Sequence, residues 1–129
     1  MTAIKKKVLI VEDDPTLMRS LRDVFSVEDL IIQTAVDGES ALEQIEKDTP
    51  DLVLLDIILP KIDGMSVLKK LRADERFVHL PVIMLTNKDD METVGDSIAE
   101  GAQDFLVKHE WKLEAIVARA KERLGIKKP

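Results

Sequence analysis

Four short apolar runs, each followed directly by a polar residue, constrain this chain more than any other feature: Val8 to Val11, Leu52 to Leu55, Val82 to Leu85 and Phe105 to Val107. Each is too short for a helix and is rich in β-branched residues or flanked by turn formers, so each reads as a strand. Their apolarity is continuous rather than alternating, the pattern of strands buried on both faces of a parallel sheet. A fifth, weaker run is Leu30 to Ile32, followed by Thr34, Ala35 and Val36. Helical patterns fill the gaps. Asp14 and Pro15 read as N-cap and first helical residue, with Leu17, Leu21, Val24 and Phe25 at helical spacing. Asp37-Gly38 opens a helix carrying Ala41, Leu42 and Ile45, and Asp63-Gly64 opens one carrying Met65, Leu68 and Leu71. A fourth, around Asp90 to Glu100, carries Met91, Val94 and Ile98 and ends at Gly101. The fifth carries Leu113, Ile116, Val117, Ala120 and Leu124 and closes at Gly125.

Strand and helix thus alternate five times, which predicts an α/β fold: one doubly wound, five-stranded parallel sheet with five helices and right-handed crossovers. At 129 residues and 45% hydrophobic, the chain suits a single domain over 1–129, with its core at about 6–125 and a frayed tail from Ile126 to Pro129. The net charge of -6 argues against a duplex nucleic-acid binder. The absence of cysteine excludes disulfides, thiolate metal sites and thiol nucleophiles. No apolar run approaches a membrane span, and Met1 to Lys7 does not resemble a signal peptide, so a soluble cytoplasmic protein without membrane insertion is expected.

The residues that close the central runs carry the chemistry. Glu12, Asp13 and Asp14 follow the first, Asp56 the second, Thr86 the third and Lys108 the last. In an open α/β sheet the ligand site lies beyond the carboxyl ends of the strands, so these side chains converge. Taken singly, Asp14 is a helix cap, Thr86 reads as a cap or turn residue, and Lys108 as a solvated loop lysine. Asp56 is harder to dismiss. It lies between Leu55 and Ile57-Ile58-Leu59, where a lone carboxylate costs several kcal/mol unless it is paired. Clustered carboxylates need a cation, and an all-oxygen set implies a hard ion, Mg²⁺ first with Mn²⁺ as the alternative. An aspartate nucleophile with a divalent ion, a hydroxyl and a lysine is a set suited to accepting a phosphoryl group.

In these segments the chain resembles the receiver domains of two-component response regulators. The resemblance rests on Val8 to Asp14, on Asp51 to Gly64, on Leu80 to Thr86 and on Gly101-Ala102 with Asp104 to Lys108, and it spans nearly the whole chain. It implies a flavodoxin-like fold of strand order 2-1-3-4-5. It also implies that Asp56 is the phosphoacceptor, supplied by a histidine kinase or histidine phosphotransfer protein. By position, Asp13 becomes the main Mg²⁺ ligand together with Asp56 and the Ile58 backbone carbonyl, and Glu12 acts through water. Lys108 pairs with the carboxylate and then the phosphoryl oxygen, while Thr86 and Phe105 form the switch. Output is expected through a protein partner on the face of the fourth helix, fifth strand and fifth helix, from a monomer or a weak phosphorylation-dependent dimer. Such a protein catalyses its own phosphorylation and dephosphorylation and is not a turnover enzyme. Ile58 and Lys88, two beyond Asp56 and Thr86, sit where the hydrolytic water would enter, and neither can act as a base, so a long-lived phosphoryl group is expected.

Three departures from the family pattern stand out. His109, not proline, follows Lys108, so a trans bond is expected, since cis before a non-proline costs about 2.5–4 kcal/mol. Asn87 follows Thr86 where a small residue is usual, and Phe105 brings no hydroxyl to the switch. Other functions fit less well. A flavin carrier needs a glycine- and hydroxyl-rich loop where Glu12 to Asp14 stand, a dehalogenase-type phosphatase needs an acid at Ile58, and there is no P-loop. A phosphorylation-independent receiver-like binding module, or the receiver fragment of a longer regulator, remains the alternative. His79 and His109 are not expected to be ligands, and Trp111 is either a contact residue or a cover for the start of the last helix.

Overall fold

The computed structural model describes residues 5–87, 95–96 and 98–126. Its strands are β1 (Lys6–Val11), β2 (Leu30–Ala35), β3 (Leu52–Asp56), β4 (Val82–Thr86) and β5 (Asp104–Val107), in one parallel sheet of order β2-β1-β3-β4-β5. β3 and β4 are buried along their whole length, while β2 and β5 lie at the edges and are partly exposed. β5 is thus an edge strand despite its apolar run, and so is the weak run Leu30 to Ile32. Val36, counted in that run by sequence, falls outside β2 and is exposed.

Alternate residues of each strand feed two cores, as a period of two requires. Leu9, Val11, Val53, Leu55 and Met84 pack with Ala41, Ile45, Val67 and Leu71 on one face. Val8, Ile10, Leu54, Ile83 and Leu85 pack with Leu21, Phe25, Ile116 and Val117 on the other. The helices are α1 (Pro15–Ser26), α2 (Gly38–Lys47), α3 (Gly64–Arg72) and α4 (Leu113–Arg123), the last being the fifth of the predicted helices. The described residues thus hold four α-helices rather than five. Of the helix expected over Asp90 to Glu100, residues 95, 96, 98 and 99 are helical, while Met91 and Val94 lie outside the described residues. Ile98, assigned to that helix's apolar side, is exposed. No helix among the described residues is long and apolar enough to cross a membrane.

The expected caps form. Asp14 accepts from the Thr16 N–H at 3.0 Å, Asp37 from the Ser40 N–H at 2.7 Å and Asp63 from the Ser66 N–H at 2.8 Å. Gly125, at φ 74°, supplies the left-handed residue that ends α4.

Candidate functional site

Strand register builds the site. Val11 is level with Leu55, Asp56 with Leu85, and Thr86 with Val107. Glu12, one residue past Val11, therefore comes level with Asp56, and Lys108 emerges one residue past the partner of Thr86. These residues line a cleft at the carboxyl end of the sheet together with Asp13 and Ile58, with Asn87 also on its wall. Lys88 lies outside the described residues.

Three of these polar groups are buried: Glu12 is 2% exposed, Asp56 5% and Thr86 0%. Asp13 and Ile58 are exposed. Buried carboxylates persist only if paired, and Lys108 provides the pairing. Its ammonium donates to Glu12 Oε1 at 2.6 Å and to Asp56 Oδ2 at 3.0 Å. The second oxygen of Glu12 accepts from the Asp14 N–H at 3.0 Å, and Asp56 Oδ1 takes a longer contact of 3.4 Å from the Ile58 N–H. Burial raises the Glu12 carboxyl above its ordinary pKa, against the pull of Lys108 and the Asp14 N–H, and the nearby Asp56 charge adds to the rise. Burial also pulls the Lys108 ammonium down, but its bonds to Glu12 and Asp56 and their charges outweigh it and hold its pKa above the usual lysine value.

One carboxylate oxygen from each of Glu12, Asp13 and Asp56 lies within 4.8 Å of the others. An oxygen-only donor set of that size, one member exposed and two buried, fits a hard divalent cation, because three negative charges so close together favour a small ion of high charge. These residues lie together at the strand ends, but one relation among them was not legible in the sequence. Lys108 sits closer to Glu12 than to Asp56, so Glu12 is a direct partner of the lysine as well as a member of the acidic cluster.

The remaining candidates lie around this centre. Phe105 is half-buried and packs against the core shared by α2 and α3, level with Met84. The Lys108–His109 bond is trans, and Lys108–Glu110 forms a short 3₁₀ turn. His79 and His109 are both exposed. Trp111 is half-buried against the core under α1 and α4, with the Arg119 guanidinium 5.3 Å from its ring centre, the covering role rather than a free contact surface.

Comparison with known proteins agrees with this geometry. The family model described as "Response regulator receiver domain" matches residues 8–121. The DNA-binding response regulator MtrA of Mycolicibacterium smegmatis is 37% identical over 124 residues, covering 96% of this chain and 53% of that protein. The chain thus spans about half the length of the curated relatives it matches. A crystal structure of a response regulator from Chloroflexus aurantiacus superposes with a TM-score of 0.87 at 34% identity, covering 95% of this chain and 99% of that one. The BeF₃-activated N-terminal receiver domain of RstA from Klebsiella pneumoniae gives 0.83 at 32% identity, covering 92% and 97%. The buried Asp56 at the end of a central strand, bridged by Lys108 to a second carboxylate, is therefore read in its family context: the chain belongs to the response regulator receiver domains of two-component systems.

Proposed function

We propose that Asp56 accepts a phosphoryl group from a histidine kinase or histidine phosphotransfer protein, and that the modified domain signals to a protein partner. The observation that carries this is the pairing of Asp56. It is a buried carboxylate at the mouth of the cleft, held by Lys108 at 3.0 Å and within reach of Glu12 and Asp13. A carboxylate oriented in this way by an ammonium partner is a competent nucleophile. One of its oxygens forms the new bond to phosphorus as the donor's bond breaks, and the donor leaves with the electron pair. Lys108 then neutralises a phosphoryl oxygen, and the Thr86 hydroxyl donates to another.

Asp13, Asp56 and the Ile58 carbonyl would hold Mg²⁺ or Mn²⁺, with Glu12 acting through water. When bound, the cation offsets the negative charge of both the carboxylates and the incoming phosphate. Movement of Thr86 toward the phosphoryl group would vacate space for Phe105, and this pair forms the proposed switch toward the output face that includes β5 and α4.

The test is capture of fluoroberyllate, the mimic borne by the Klebsiella relative. ¹⁹F NMR should show a bound adduct in the parent only when Mg²⁺ is present, and none in Asp56→Ala. An adduct that persists in Asp56→Ala removes the assignment. No adduct in the parent favours a phosphorylation-independent binding module.

A further inference from the structure

The loop joining β3 to α3, residues 57–63, carries Ile58 into the cleft, and it is gripped from two sides. Its end is closed by its own helix. The Gly64 N–H donates to the Ile57 carbonyl at 2.8 Å, and any side-chain carbon on Gly64 would overlap the Asp56 carbonyl oxygen. Its middle rests on a different element, the N-terminus of α2. The Gly38 N–H donates to the Pro60 carbonyl at 3.5 Å. A Cβ on Gly38 would collide with the Ile62 carbonyl oxygen and lie 2.7 Å from its carbon and 2.9 Å from the Ile62 Cβ. Asp37, itself 8% exposed, uses one oxygen to cap α2 through the Ser40 N–H at 2.7 Å and turns the other toward Lys61 Nζ at 3.8 Å.

Lys61 adds a cost that a passive loop would not carry. At φ 67° it is the one non-glycine residue among the described residues in the left-handed region, where a Cβ is unfavourable. Its side chain is 58% exposed, so core packing does not explain that conformation. The contacts of Gly38 with Pro60 and Ile62 flank that conformation on both sides.

We propose that Gly38 and the left-handed backbone of Lys61 are positioning residues for the Ile58 segment, with Asp37 capping the helix that carries Gly38. They hold the loop so that its main chain and Asp56 present their oxygens together to a divalent cation, and they do so from outside the cleft. This rests on the reading of the cleft as a cation-assisted phosphoacceptor site. Any side chain at position 38 pushes the Ile62 carbonyl away and drags the loop with it. A β-branched residue at position 61 expels the left-handed conformation with the same result, whereas glycine at 61 leaves the path intact.

The experiment is a Mg²⁺ titration of the full chain followed by the amide signals of Asp13 and Ile58, with the denaturant midpoint of each variant measured alongside. Gly38→Ala and Lys61→Val should bind Mg²⁺ roughly tenfold more weakly, since losing groups that orient a metal's ligands costs about 10- to 100-fold in affinity. Lys61→Gly should bind within about twofold of the parent, because glycine adopts that φ freely. The inference is overturned if Gly38→Ala and Lys61→Val lose stability yet bind Mg²⁺ as the parent does, since their role is then structural only. Should Gly38→Ala fail to fold, the contrast between Lys61→Val and Lys61→Gly decides alone: equal affinities sink the proposal and unequal ones support it. A parent that binds no Mg²⁺ at Asp13 overturns the proposed function and this inference together. A parent that binds normally beside unaffected variants overturns only the latter.

Discussion

Replacing Lys108 by methionine keeps an unbranched side chain one atom shorter and removes its charge, leaving Glu12 and Asp56 facing each other without a cation. The two bonds lost are 2.6 and 3.0 Å long, and the carboxylates that lose them are 2% and 7% exposed at the side chain. A hydrogen bond to a charged partner contributes about 1.5–3 kcal/mol, and breaking a buried pair from one side costs about 3–5 kcal/mol because the other charge stays buried. Lys108→Met should therefore lose about 3–5 kcal/mol of unfolding free energy in urea with metal chelated at about pH 8. The loss should shrink as the pH is lowered toward about 5, because the stranded Glu12, whose carboxyl burial already holds above its ordinary pKa, then escapes its penalty by taking up a proton. Saturating Mg²⁺ should also reduce it, since a cation again offsets the cluster. A double-mutant cycle with Glu12→Gln isolates the closer contact and should show clear coupling. A loss below about 1 kcal/mol, the range of an exposed surface pair, or a loss unchanged at acid pH, would refute the claim that the lysine neutralises buried charge.

The acid limb of the stability curve should carry a signature of Glu12, whose pKa is raised chiefly by burial above the ordinary 4.5. Between that raised value and 4.5 the folded state binds more protons than the unfolded one, so metal-free stability should rise as the pH falls, and Glu12→Gln should flatten this slope in denaturant titrations. Asp13→Lys removes one of three clustered negative charges and adds a positive one, so its metal-free melting temperature should exceed that of the parent while Mg²⁺ no longer raises it. A metal-free melt well below the parent would contradict the repulsion. Replacing Ile58 by Asn and Lys88 by Glu should speed loss of the phosphoryl group about tenfold or more, because both new side chains can accept a hydrogen bond from an entering water. Decay of phosphorylated protein after donor removal, in excess Mg²⁺, measures this.

Much of the fold was legible because local signals agreed with one another. Continuous apolar runs marked β1, β3 and β4, and aspartates at 14, 37 and 63 capped the helices they precede. The weaker run marked β2, which lies at an edge of the sheet. Asp56 stood out because it interrupts a run that is otherwise apolar, where an ionisable group needs a reason to be present. What local signals could not carry were pairings set by register across long stretches of chain. Lys108 and Glu12 are 96 residues apart, and nothing near either one announces their bond. The same holds for Asp104, which accepts from both Arg119 and Arg123 at 2.6 Å. It holds as well for Arg72, whose guanidinium binds the carbonyls of Phe77 and Gly101 and ties α3 to the approach to β5. Trp111 was ambiguous because a helix-start aromatic can cover or protrude, and its packing against the core beside Arg119 shows that it covers.

The central claim is that Asp56 takes a phosphoryl group with the help of a divalent cation and Lys108. Intact-mass measurement after incubation with acetyl phosphate tests it most directly. In Mg²⁺ the parent should gain the mass of one phosphoryl group. The gain should vanish with chelator or in Asp56→Ala, and Lys108→Met should slow it or abolish it. A parent that gains no mass, or an Asp56→Ala variant that gains as much as the parent, would contradict the account.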